Sequence, residues 1–314
     1  MITLSKFDQA KKFKDPVIAL GVFDGVHKGH RMILSQAVRK ARQIKGKSIV
    51  VTFWPHPQKK QSLYSLKHRL RLIDELGVDA CLVIDFTKKF SRMKAEDFVN
   101  KVLVRKIKAR YIYVGKNFRF GHRARGDYRF LKKMSAAGGF YLKAFEVLKK
   151  KGDAISSTLI RRLISGGKLK QAEALLGRPV SILGTVGKGS SFGRKLGFPT
   201  ANIDPHHEVV PAAGVYAVRV FLGQKKMKGA CYIGVKPTFI KQKINAPHHR
   251  QARRKNISIE AYIFNFNKNI YGRELELQFL RKIRNERKFT SPVHLARQIR
   301  KDVTVIKDLF SRHN

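Results

Sequence analysis

The sequence predicts an α/β chain in two parts: a parallel sheet with helices on both faces, then an antiparallel sheet or small barrel. Three observations carry this. In the first half, short apolar runs at 17–20, 48–53, 80–84, 111–114 and 140–146 alternate with helical patterns. From residue 180 onward the runs at 180–186, 214–221, 229–235, 257–266 and 274–280 follow one another with only turns between them. The helical pattern then returns once, with Leu295, Ile299, Val303 and Ile306 on one stripe. Strands that alternate with helices build parallel sheets, whose ligands bind at the carboxyl ends of the strands. Strands without intervening helices pair antiparallel.

Taken in order, the first strand ends at Gly21 and a glycine-rich turn. Ile33, Ala37, Ala41 and Ile44 recur at helical spacing, as do Leu66, Leu70 and Ile73. Ser156-Ser157-Thr158 opens a short helix with hydroxyl caps available, and Gly166-Gly167 ends it. A further helix over 168–176 leads to Gly177-Arg178-Pro179, where the pattern changes. The boundary therefore falls near 172–180, with domains at 1–175 and 176–314. The stretch 241–256, with His248, His249, Arg250, Arg253, Arg254 and Lys255, reads as a basic loop.

A chain of 314 residues is long enough for two cores, and its 43% apolar share is that of a globular protein. No apolar run approaches the ~20 residues needed to cross a bilayer. Residues 1–16 lack the apolar stretch of a secretory signal, and Cys81 and Cys231 fall inside apolar runs as buried thiols. Together these predict a cytoplasmic protein. The 67 Lys and Arg against 21 Asp and Glu leave a formal net charge of +46, which attracts polyanions of every kind. Because the cations are spread along the whole chain, the charge predicts non-specific polyanion binding and not a dedicated nucleic-acid stripe.

Gly21-Val22-Phe23-Asp24-Gly25-Val26-His27-Lys28-Gly29-His30 places a glycine-rich turn and two histidines where a helix begins. Gly21 and Gly25 let the backbone approach a phosphate, and His27 and His30 share about one face of the first helical turn. Phe23 and Asp24 belong to the same turn. Imidazoles there can stabilise charge developing on a transferring phosphate. Two histidines alone would equally suit a capped helix end or a weak metal pair; the surrounding glycines and Asp24 favour phosphate. Later, Ser157 and Thr158 at a helix start can hold phosphate oxygens, and Arg161 one turn on can neutralise a leaving pyrophosphate. A second glycine-rich turn holds Gly189, Gly193, Arg194 and Gly197 and runs into Pro199-Thr200-Ala201-Asn202. It can fold around phosphates, with Thr200 and Asn202 offering neutral oxygens to a nucleotide-bound magnesium ion.

The segment GVFDGVHKGH resembles the G-x-F-D-G-x-H-x-G-H signature of the bacterial bifunctional riboflavin kinase/FMN adenylyltransferases, or FAD synthetases. Thr52-Phe53-Trp54-Pro55-His56-Pro57, Gly115-Lys116-Asn117-Phe118-Arg119-Phe120-Gly121 and Ile155-Ser156-Ser157-Thr158-Leu159-Ile160-Arg161 are similar to further motifs of that family, in the same order. In the second part, Gly193-Arg194-Lys195-Leu196-Gly197-Phe198-Pro199-Thr200-Ala201-Asn202 resembles the family's G-R-x-L-G-F-P-T-A-N element. The resemblance spans about 17–302. It implies a Rossmann-like nucleotidylyltransferase domain followed by a riboflavin kinase barrel with a C-terminal helix.

That resemblance implies that riboflavin, FMN and ATP are the substrates and Mg2+ the cofactor. It places His27 and His30 on the ATP phosphates and flavin at Phe53, Pro55, His56, Pro57, Asn117, Phe118 and Arg119. Plain core packing remains the alternative reading of Phe53 and Phe118. It also implies a flavin-covering segment with Arg284, Glu286 and Phe289, and a catalytic glutamate at Glu260. Four positions depart from the pattern: Tyr232 for asparagine, Lys236 for arginine, and Tyr262 and Asn265 for a histidine and an acid. Two other functions stay open at this point: an active adenylyltransferase beside an altered barrel, or a basic nucleic-acid-binding protein on the same scaffold.

Overall fold

The computed structural model describes residues 1–58, 61–150, 152–189, 192–235 and 257–312. They fall into two compact units, Met1–Ile160 with Leu175–Gly177, and Arg161–Ala174 with Arg178–Asn314. The first unit is built on six strands: β1 (Ile2–Leu4), β2 (Val17–Leu20), β3 (Ser48–Trp54), β4 (Ala80–Asp85), β5 (Tyr111–Gly115) and β6 (Tyr141–Phe145). They lie parallel in the order β1-β4-β3-β2-β5-β6. All four residues of β2 are buried, so a central strand reads as one unbroken apolar run. Only β1 escapes the sequence patterns, because three residues carry no periodicity.

Helices α1 (Lys28–Gln43) and α2 (Leu66–Asp74) connect β2, β3 and β4. Helix α1 buries Ile33, Leu34, Ala37, Val38 and Ala41, and each of the larger three contributes roughly 1.5–3 kcal/mol. The return to β5 runs through the short helices α3 (Lys88–Ser91) and α4 (Ala95–Asp97) and a π-helical segment, Phe98–Lys106. Helix α5 (Tyr128–Gly138) then leads to β6 and stops at Gly139, which takes the left-handed φ of +64°. The π-helical segment and α5 pack Phe98, Val99, Val102, Leu103 and Leu131 into one core with Ile18, Leu20, Ile49, Val51, Ile112 and Val114 of the sheet. From β2 the chain moves to β3 and β4 on one side, then to β5 and β6 on the other. The strand order thus reverses between β2 and β5, and a crevice opens there at their carboxyl ends. A two-stranded ribbon, β7 (Lys149–Lys150) and β8 (Asp153–Ala154), precedes α6 (Ser157–Ser165) and α7 (Leu169–Leu176).

In the second unit, six strands close into an antiparallel barrel in the order β10-β13-β12-β11-β14-β9. They are β9 (Val180–Gly187), β10 (Ala201–Asp204), β11 (Gly214–Leu222), β12 (Lys225–Val235), β13 (Ile257–Ile263) and β14 (Glu274–Arg284). A single turn, α8 (Phe192–Lys195), sits between β9 and β10. Strand β12 starts four residues before its apolar run because its first positions are lysines, and β13 ends before Asn265, which takes a φ of +54°. Helix α9 (Pro292–Ser311) is capped by the Ser291 hydroxyl and packs Ile306 and Phe310 against Val215 and Ala217. Cys81 and Cys231 are buried free thiols, and burial pushes Cys81 up to about 12. Among the described residues no helix is long and apolar enough to cross a membrane. The basic stretch 241–256 and Lys236 lie outside the described residues.

Candidate active sites

The turn after β2 occupies the crevice where the strand order reverses. It holds Phe23, Gly25 and Val26 at φ of +51°, +89° and +39°. Two side-chain-bearing residues in the left-handed region, one of them β-branched, store strain of the kind that accumulates where a backbone must meet a ligand. The left-handed φ of Gly25 already strains any side chain, and a Cβ there would lie 2.4 Å from Leu63 Cδ1. His27 caps α1: its Nδ1 accepts a hydrogen bond from the His30 backbone N–H at 3.3 Å. The two imidazoles stack with centroids 3.5 Å apart, and Phe23 meets His30 edge-on at 5.4 Å. At a helix N-terminus, that stack presents two imidazoles beside a positive dipole end.

Three predicted ligand-binding side chains turn into the protein instead. The Asp24 carboxylate is buried and accepts from the Leu63 N–H at 2.9 and 3.0 Å and the Tyr64 N–H at 3.4 Å. It also faces Arg69 Nη2 at 3.7 Å, with both side chains out of solvent. Arg69 in turn donates to the carbonyls of Val22 and Phe53. Asp24 therefore shapes the loop from within. Phe53 is 4% exposed, its ring among Phe86, Phe90, Phe98 and Phe118 at centroid distances of 6.1–6.5 Å, so it forms the floor of the site. The third is Arg284, described below.

A buried ion pair broken from one side leaves an uncompensated charge. Arg69→Met is therefore expected to destabilise the first unit by about 3–5 kcal/mol, read as a lowered urea midpoint by circular dichroism. An unchanged midpoint would remove Arg69 as the keystone of the loop.

The remaining flavin candidates come from the ends of β3 and β5. Pro55, Asn117 and Arg119 are exposed, while His56, Pro57 and Phe118 are half-buried. His56 Nδ1 accepts from the Gln58 N–H at 3.2 Å. Phe118 stacks on Phe120 at 5.8 Å and 13°. Arg119 Nη1 donates to Asp127 Oδ2 at 2.8 Å, and Asp127 caps α5 through the Phe130 N–H. That N–H bond, with Arg119 beside it, holds the Asp127 carboxyl below its ordinary value against the opposing effect of burial. A depressed native value stabilises the fold above the unfolded pKa of about 3.9, and the contribution is lost as pH falls through the native value. Asp127→Asn keeps a capping oxygen without the ionisation. Its stability should fall less steeply below about pH 4 than that of the wild type, measured by acid unfolding.

At the start of α6, the Ser157 hydroxyl donates to the Asp24 carbonyl at 2.8 Å, tying it to the histidine turn. Thr158 is exposed and Arg161 half-buried on the same helix. Gly21, Phe23, Gly25, His27, His30 and Ser157 are thus brought together at the end of β2.

The barrel brings a second set together. Glu260 lies on β13 opposite Asn202 on β10 and Tyr232 on β12. Its Oε2 accepts from Thr200 Oγ1 at 3.2 Å and its Oε1 from Ser258 Oγ at 3.0 Å. The backbone closes tightly around this group: a Cβ at Gly189 would stand 2.0 Å from the Asn202 amide, and one at Gly193 would stand 3.2 Å from Thr200 Oγ1. Arg194 is exposed on α8. A hydroxyl, an amide oxygen and one carboxylate around a glycine cradle suit Mg2+ carried in by a nucleotide, which keeps most of its own ligands.

Arg284 grips the buried Asp302 of α9, its Nε at 3.0 and 2.9 Å from the two carboxylate oxygens and its Nη2 at 2.8 Å from Oδ2. It also lies 5.7 Å from the Phe289 ring, so it anchors the 285–289 segment to the helix. Tyr232 donates to Glu286 Oε1 at 2.6 Å. Burial and that hydrogen bond raise the Tyr232 hydroxyl, which keeps its proton as donor. Tyr262 packs edge-on against Phe198 at 5.5 Å. Thr52, the first residue of the second motif, donates its hydroxyl to the Val22 carbonyl at 2.8 Å. Sequence patterns missed Arg69, Ser258 and Asp302. None has a local signal; each acts through a partner distant in sequence or hidden in an apolar run.

Two family models match the chain, one in each part. The FAD synthetase family model matches residues 9–159 and the riboflavin kinase family model residues 176–310. Curated bifunctional riboflavin kinase/FMN adenylyltransferases are similar across nearly the whole length. That of Buchnera aphidicola is 34% identical, covering 94% of each chain. Those of Escherichia coli and Bacillus subtilis are 34% and 32% identical, covering 94% and 95% of this chain and 92% of each relative. A crystal structure described as a macrolide-efflux protein from Streptococcus pneumoniae superposes with a TM-score of 0.79 at 28% identity, covering 98% of this chain and 99% of that one. The chain belongs to the family of bifunctional riboflavin kinase/FMN adenylyltransferases.

Proposed function

We propose that the barrel phosphorylates riboflavin with ATP to give FMN, and that the first unit transfers AMP from ATP to FMN, giving FAD and pyrophosphate. The observation that carries this reading is the presence of two separate phosphate-handling clusters. One is the stacked His27–His30 pair at the α1 N-terminus; the other is the Thr200–Asn202–Glu260 group in the barrel.

In the barrel, Glu260 takes the proton of the ribityl hydroxyl as its oxygen attacks the γ-phosphorus of ATP and ADP leaves. Thr200 and Asn202 would hold Mg2+, which supplies charge neutralisation to the nucleotide phosphates. Gly189, Gly193 and Arg194 line the phosphate path. In the first unit, a phosphate oxygen of FMN attacks the α-phosphorus of ATP and pyrophosphate leaves. No covalent enzyme intermediate forms, so catalysis rests on positioning and charge stabilisation. His27 and His30 meet the developing charge, and the backbone at Gly21, Phe23 and Gly25 approaches the phosphates. Ser157, Thr158 and Arg161 receive the pyrophosphate end. The flavin lies against Phe118, with Phe53 packed beneath as the floor, between the segments carrying Pro55, His56 and Pro57 and those carrying Asn117 and Arg119. Buried free thiols and the soluble substrates are in keeping with a cytoplasmic enzyme.

Incubation of the purified chain with riboflavin, ATP and magnesium, followed by chromatographic separation of flavins, should yield FMN first and FAD after it. FAD from supplied FMN but no FMN from riboflavin would leave only the adenylyltransferase. The Tyr232 hydroxyl holds Glu286 of the flavin-covering segment, so Tyr232→Phe should raise the KM for riboflavin several-fold with a smaller change in kcat. Equal kinetics for variant and wild type would show that the segment needs no such tether.

A further inference from the structure

One stretch of the first sheet carries aromatic rings where a buried face would carry aliphatic ones. Tyr111 and Tyr113 project from β5, and β6 sets Tyr141 and Lys143 directly beside them in register. With Arg39 and Lys40 of α1 they line a depression of about 380 Å³. Tyr111 and Tyr141 stack with centroids 5.0 Å apart at 19°, and Tyr141 remains 65% exposed. Lys40 Nζ stands 4.8 Å from the Tyr111 ring, and Lys143 Nζ 5.8 Å from that of Tyr113. Among the described residues no acidic side chain lines the depression. Tyr141 is thus presented to solvent on top of the half-buried Tyr111, at a cationic surface beneath which Tyr113 is buried.

We propose that this tyrosine face binds single-stranded nucleic acid, stacking a base on Tyr141 while Arg39, Lys40 and Lys143 hold the flanking phosphates. Exposed aromatic rings on a sheet, interleaved with cations, form a stacking platform that tolerates any base because every base has a π-face. The +46 charge steers polyanions to the molecule in general but does not account for the rings; stacking adds what dispersed charge lacks. Tyr111 and Tyr141 are the first residues of β5 and β6, and Gly115 ends β5 at the crevice. At about 3.3 Å per residue, the platform stands roughly 13 Å from the crevice along the strand. Its occupant is therefore distinct from the flavin and ATP of the catalytic reading and independent of it.

The test compares fluorescein-labelled decauridylate and decathymidylate with a labelled heparin oligosaccharide, which carries anionic charge but no bases, by fluorescence anisotropy at fixed salt. Tyr141→Ala should weaken both oligonucleotides about 5- to 100-fold, and Tyr141→Phe, which keeps the ring, should stay close to wild type. Heparin binding should be unchanged in both. Equal oligonucleotide affinity in wild type and Tyr141→Ala overturns the proposal, as does a parallel loss of heparin binding. FAD formation by each variant, expected at the wild-type rate, shows that the chain is folded. If Tyr141→Ala fails that control, Tyr141→Leu, apolar but without a π-face, takes its place under the same criteria.

Discussion

Replacing His27 and His30 together with alanine is expected to abolish FAD formation while FMN formation from riboflavin continues. The stacked pair sits at the N-terminus of α1, 3.5 Å between centroids, where both rings can face charge that develops during adenylyl transfer. Removing a single well-placed donor from such a site costs about 10²–10³ in kcat, so loss of both should exceed roughly 10⁴. The double variant also loses the His27 cap on the His30 N–H, worth about 1 kcal/mol of helix stability. His27→Asn separates the two effects, since asparagine restores the cap but not the imidazole. It should recover the melting temperature without recovering FAD synthesis. A double variant that still makes FAD at the wild-type rate would exclude the histidines from the reaction.

Glu260→Gln should have the mirror effect: FMN production from riboflavin falls by about 10²–10⁴, and FAD production from supplied FMN is untouched. The substitution is nearly isosteric. Thr200 and Ser258 both donate to the native carboxylate, and a hydroxyl can turn to accept from the new amide, so the barrel should keep its geometry. What disappears is the capacity to take a proton at the strand position that faces Asn202 and Tyr232. Wild-type FMN turnover by this variant would remove Glu260 as the base.

Much of the fold was legible because its signals are local. The unbroken apolar run at 17–20 and the glycine turn behind it mark a central parallel strand and the crevice at its end. The alternation of strand and helix, then strand after strand, separates the sheet from the barrel. The short elements were not legible: β1 and β10 are too brief for any period to emerge, and lysines mask the start of β12. In the sites, sequence motifs named the residues but not their directions. Asp24 reads as a ligand-facing acid until Leu63, Tyr64 and Arg69 are seen to enclose it. Arg284 reads as a flavin contact until Asp302 is found in its grip. Such roles depend on which side of a turn faces the interior, and only long-range packing decides that.

Closure of the barrel has a consequence for how the chain tolerates stress. A closed ring of strands leaves no unpaired edge, whereas the parallel sheet of the first unit ends in two, β1 and β6. Exposed edges are templates for pairing with another chain. Here β1 offers only three residues and β6 carries Lys143 on its surface, both of which discourage such pairing. Only the sheet has edges to offer all the same, so self-association on heating, followed by light scattering, is expected to begin from the sheet bearing the adenylyl site and to reach the barrel last.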